Sequence, residues 1–135
     1  MKTIYESQVL RVDLESTNPI IIFTWLTASA AMSYEDYQEE MQQVAQLQIT
    51  YKTHKPLVDI QDFQFVITPP IQEWVDQHIL AQFTKAGIHK VAYVASQYAF
   101  TQVSVEQTMS EPYGSTFKTQ YFKTYKEARD WLLAD

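Results

Sequence analysis

The chain has no cysteine, which rules out disulfides, thiolate metal sites and cysteine nucleophiles and suits a reducing compartment. It has only two glycines, Gly87 and Gly114, so no glycine-rich loop can cradle a phosphate. No serine stands in a Gly-x-Ser-x-Gly turn, which removes the hydrolase elbow. The longest apolar run, Ile20 to Phe23 continued through Trp25 and Leu26, is far short of a membrane span. No charged–apolar–small leader pattern opens the sequence, and a cytoplasmic protein is expected. Positive charge is scarce: the formal net charge is −6, and residues 1–50 hold only Lys2 and Arg11 against seven acids. A nucleic-acid surface needs clustered Lys and Arg to displace counterions, so nucleic acid is not an expected partner. Lys118, Lys123, Lys126 and Arg129 gather near the C-terminus. They read as a solvated face, with self-association through complementary charge as the alternative.

At 135 residues and 46% hydrophobic, the chain fits one domain, residues 1–135, with a full core. Nine tyrosines are scattered along it. A phenol ring suits cores and wet interfaces alike, so both are expected to share them.

Residues 8–15 alternate, with Leu10, Val12 and Leu14 on one side and Arg11, Asp13 and Glu15 on the other, which predicts a half-exposed strand. Thr17-Asn18-Pro19 is a turn. Ile20–Leu26 is apolar on both faces and belongs inside a sheet, so these two strands form a hairpin with the second one inside. Ser33 is a candidate N-cap for a helix from about Tyr34 to Lys52. Leu57–Ile60 is the next strand. Thr68-Pro69 opens a second helix, with Ile71, Trp74, Val75, Ile79 and Phe83 as its stripe and Gly87 as its end. Val91–Ala95 is a buried strand, Tyr98 to about Ser110 a helix of less clean period, and Phe117–Phe122 an outer strand. Thr124 to Glu127 matches a capping box for a short last helix. The expected fold is α/β: a mixed five-stranded sheet, an N-terminal hairpin followed by βα units, with four helices.

That order resembles the STAS superfamily, and within it the SpoIIAA-like branch of bacterial proteins. The residues that carry the likeness are Val58-Asp59-Ile60-Gln61-Asp62, the helix opened by Thr68-Pro69, Lys85-Ala86-Gly87-Ile88 leading into Val91-Ala92-Tyr93-Val94, and Ser104-Val105-Glu106-Gln107. The resemblance implies a regulatory module that acts through a protein partner. Antagonists of this superfamily carry an Asp-Ser pair where the helix after the third strand begins, and the Ser is phosphorylated. This chain has no Ser between Ile60 and Trp74. Thr68 is the one hydroxyl at that helix start, read as a phosphoacceptor or as a plain helix cap.

Asp59 and Asp62 could hold a ligand at the carboxyl edge of the sheet or simply fix the loop there. Trp74 and His78, one turn apart, are read as lining a cleft or as packing. The three histidines match no ligand spacing, so neither a metal nor a cofactor is expected. The expected function is a non-enzymatic interaction module, with a protein partner and a homodimer. The alternatives are a small-molecule or lipid carrier with an apolar pocket by the Thr68 helix, and an enzyme using Asp59 and Asp62.

Overall fold

The computed structural model describes residues 1–134. Six strands form one sheet: β1 (Lys2–Glu6), β2 (Leu10–Glu15), β3 (Ile20–Trp25), β4 (Pro56–Asp59), β5 (Lys90–Val94) and β6 (Lys118–Phe122), in that spatial order. β1, β2 and β3 pair antiparallel, and β3 to β6 pair parallel. The sheet therefore has six strands, not the five expected. β1 carries no apolar run, is mostly exposed and owes its place to pairing with β2. The doubly apolar segments Ile20–Trp25 and Lys90–Val94 sit inside the sheet, as their composition demands.

Four helical stretches follow the plan. α1 (Tyr34–Tyr51) starts at a full capping box between Ser33 and Asp36. The second stretch is one run in three parts: α2 (Pro69–Val75), a π turn (Asp76–Leu80) and α3 (Ala81–Lys85). It ends at Gly87, whose φ of 83° is the left-handed value a side chain resists. α4 (Ala99–Thr108) and α5 (Tyr125–Leu133) complete the set. The Thr124 hydroxyl caps α5 by accepting the Glu127 N–H at 3.2 Å.

Because β3 to β6 succeed one another in a single direction, their right-handed crossovers put α1, α2–α3 and α4 on one face. α5 alone covers the other. Each strand divides its residues accordingly. Ile21, Phe23, Trp25, Ile60 and Val91 join the large core, whereas Ile20, Ile22, Leu57, Ala92 and Val94 meet Ala128 and Leu132 of α5.

The polar side of β2 lies on the α5 face and is less open than the alternation suggests. Asp13 is buried, accepting from the Thr3 hydroxyl at 2.6 Å and from Arg11 Nε at 3.1 Å. Glu15 accepts from Arg129 Nε at 3.0 Å and from its Nη2. Arg129 is thus a strut between β2 and α5 rather than part of a solvated face.

Candidate functional site

All the parallel strands point toward one end of the sheet, where the segment 60–68, the turn at 95–98 and α4 meet. Asp59 ends β4 there. Its Oδ1 accepts the Gln61 backbone N–H at 3.1 Å, a local turn bond, and both its oxygens take the Gln61 amide. Asp62 Oδ1 accepts from Gln97 Nε2 at 3.1 Å, tying this segment to the turn after β5. Further bonds hold the segment down. Ser29 Oγ accepts the Gln64 N–H, Ser104 Oγ accepts the Ile67 N–H, and the Ser96 hydroxyl donates to the Phe63 carbonyl. Both carboxylates are engaged in shaping the loop. Among the described residues no group of three His, Asp or Glu gathers as metal ligands do. The sheet is also wound in one direction and has no reversal of strand order, the feature that opens ligand crevices in other α/β sheets.

Thr68 occupies the N-cap position of α2, but its hydroxyl makes no capping bond. Pro69 and Pro70 follow it, and neither has an N–H. Two of the amides that would face a phosphate at an ordinary helix start are therefore missing. The start of α2 is secured instead by Gln72, whose Nε2 donates to the Ile67 carbonyl at 2.7 Å and to Gln107 Oε1 at 2.9 Å. Thr68 is exposed at the rim of this edge.

Trp74 and His78 do come together, with ring centroids 5.4 Å apart. Trp74 is half-buried and His78 exposed, on the outer flank of the α2–α3 run. Neither belongs to the wall of the cavity between sheet and helices. The cavity lies on the other side of that run: a void of about 60 Å³ between sheet and helices, walled by residues that include Val44, Val75, Ile79, Leu80 and Val105. Tyr37 and Tyr93 line it too. Burial pushes both phenols above their ordinary value.

The most unusual element is α4. Toward the core it turns Thr101, Ser104, Val105 and Thr108, and toward solvent it turns Phe100, 84% exposed, and Val103, 51% exposed. Two of the three buried hydroxyls are satisfied within the helix: Ser104 donates to the Thr101 carbonyl and Thr108 to the Ser104 carbonyl, each at 2.8 Å. Val66, 47% exposed, precedes Ile67, whose N–H is held by Ser104 Oγ of this helix, and Tyr98 precedes the helix. Glu106 and Glu111 line a shallow groove together with Val103. Phe100, Val103 and Val66 are not among the site residues expected from sequence. The signal was present in the irregular period of residues 98–110, where hydroxyl residues fall at the helical spacing that apolar ones normally hold.

Compared with known families, residues 23–133 match the SpoIIAA-like family. The chain belongs to the SpoIIAA-like family. No curated protein and no solved structure gave a match. Membership confirms the STAS superfamily assignment and fits the order of elements from β3 to α5. In this SpoIIAA-like chain the helix after β4 opens with Thr-Pro-Pro where the superfamily's antagonists open with Asp-Ser. No helix among the described residues is long and apolar enough to cross a membrane.

Proposed function

We propose that the chain acts as one domain, residues 1–135, and works in the cytoplasm as a non-catalytic regulatory module that docks a protein partner through the Phe100, Val103 and Val66 surface. The observation that carries this reading is the reversed polarity of α4. A helix packed on a sheet normally turns its apolar stripe inward. Here Thr101, Ser104 and Thr108 do much of the packing beside Val105, and a phenylalanine is left 84% exposed. Exposed apolar patches rimmed by polar residues mark interaction sites. The loop under the patch is held by several cross-bonds, so the surface is preorganised and little ordering cost attends docking. With Glu106 and Glu111 beside Val103, the fitting partner presents an apolar hollow edged by Lys or Arg.

A homodimer is the second reading. A two-fold pairing through Phe100 sets Glu106 and Glu111 of both copies against each other, so such a dimer tightens as salt rises. A hetero-partner with a basic edge does the reverse. Thr68 is the candidate point of control, because a phosphate there adds negative charge at the rim of an already acidic surface.

The test is a photo-cross-linking residue at position 100, compared with one at the exposed outer position 46 of α1, in cells that make the protein. A discrete adduct from position 100 and none from position 46 is the expected result. Equal adducts from both, or none from position 100, would overturn the reading.

A further inference from the structure

The void between the sheet and its helices is lined almost throughout by apolar side chains; its hydroxyl-bearing residues are Tyr37, Tyr93 and Thr108, and the Thr108 hydroxyl is already committed to the Ser104 carbonyl. Purely apolar cavities stay dry and empty; a buried hydroxyl wants a partner. Tyr37 is only 3% exposed; its hydroxyl makes no hydrogen bond among the described residues and is not one of the fully enclosed unpartnered atoms, so it keeps a small accessible surface. The Tyr93 hydroxyl donates only to Met109 Sδ, at 3.3 Å, and a thioether is a weak acceptor. From these two donors and their apolar surroundings we propose that the cavity is a binding site for a small neutral molecule with an apolar body and one acceptor oxygen. This inference is independent of the docking surface, and the failure of either leaves the other standing.

The chemistry of the occupant follows from the wall. Burial raises both phenols, so at neutral pH each keeps its proton and acts as a donor. No Lys, Arg or His lines the void among the described residues, so a carboxylate would enter without a counter-charge. A carbonyl, ether or alcohol oxygen meets the two donors without that cost. The rest of the molecule would touch Val44, Val75, Ile79, Leu80 and Val105. At about 60 Å³ the void is several times the roughly 10–15 Å³ that one water needs.

Two features give the wall room to adjust. Ile79 and Leu80 stand on the π turn, a helical form that recurs at functional sites. Asp76, which opens that turn, is anchored from outside: its Oδ1 accepts the Gly114 N–H at 2.8 Å and its Oδ2 the Tyr113 N–H at 3.2 Å. On the opposite side the half-buried Phe65 ring stacks on Tyr37 with centroids 4.6 Å apart.

The experiment titrates the full chain with cyclopentanone and, separately, with cyclopentane. The methyl resonances of Val44, Val75, Ile79 and Val105 are followed by NMR. Saturable shifts with the ketone are expected. Tyr37→Phe, which deletes one donor, should weaken the ketone about ten-fold and leave the hydrocarbon unchanged. Val105→Ile, which fills part of the void, should weaken both. If Tyr37→Phe does not fold, Tyr93→Phe carries the same comparison. The proposal falls if the ketone moves no wall methyl, or if Tyr37→Phe weakens both probes equally. It also falls if a ketone-soaked crystal shows ordered water bridging the two hydroxyls undisturbed.

Discussion

One face of the sheet is covered by a single helix and the other by three helical stretches, and the two layers are built differently. Under α5, Ile20, Ile22, Leu57, Ala92 and Val94 meet Ala128 and Leu132 with no residue more than 4% exposed. An Arg129–Glu15 pair braces the flank of that layer. Under α1, α2–α3 and α4 the core holds large aromatics, including the contacting rings of Trp25, Tyr37 and Phe63. It also holds a void, two underused hydroxyls and a helix that turns two of its apolar residues, Phe100 and Val103, outward. The first layer holds the domain together. The second departs from tight packing at three places, and both functional proposals rest on those places. Local choices that conflict with the global fold are where function is to be sought.

The contrast can be broken by matched substitutions. Leu132→Ala, which opens a hole in the tight layer, is expected to lower unfolding free energy by about 2–5 kcal/mol in urea melts. A change near zero would mean the α5 layer is not close-packed. Small-to-large changes should then differ in sign between the faces. Ala92→Leu overfills the α5 side and should destabilise by about 1–3 kcal/mol. Val105→Ile adds a methylene toward the void and should gain up to about 0.8 kcal/mol. If both destabilise alike, the void is already filled.

The ion pair sharpens the comparison through pH. The Arg129 hydrogen bond holds the Glu15 carboxyl below its ordinary value of 4.5. A lowered folded value means that the pair's stabilisation is fully present above pH 4.5 and is lost as pH falls through the folded value. Glu15→Gln should therefore be less stable than the native chain at neutral pH, by less than Leu132→Ala, and the gap should close only in acid. A gap independent of pH would remove the charge from the explanation.

The smallest expected difference separates two helix starts. Ser33→Ala breaks a capping box and should cost about 1 kcal/mol. Thr68→Ala removes a hydroxyl that caps nothing and should stay within about 0.5 kcal/mol of native. A Thr68 cost equal to that of Ser33 would show that the threonine does cap its helix in solution.

These differences also explain what was legible in the sequence. Capping signals at Ser33 and Thr124, the Gly87 stop and the doubly apolar strands are local and were readable, and so was the family likeness. β1 was not: its five residues form an edge held by Tyr5 donating to Glu40 and Thr3 donating to Asp13, both distant in sequence. Trp74 and His78, read as cleft-lining or packing, stack on the outer flank of the helical run, and the void described above is walled by Val75, Ile79 and Leu80 of the same run. The direction in which α4 faces depends on Ser104 meeting Ile67, a tertiary bond without a local signal. For Asp59 and Asp62 the loop-fixing role is the one their hydrogen bonds serve.

The most direct measurement of the central claim is the yield of partner adduct from a photo-cross-linking residue at position 103, with and without Phe100→Asp. Phe100 lies outside the packed core, so the domain should melt at the same denaturant concentration in both while the adduct disappears. An adduct of undiminished yield in the Phe100→Asp chain would contradict docking through α4.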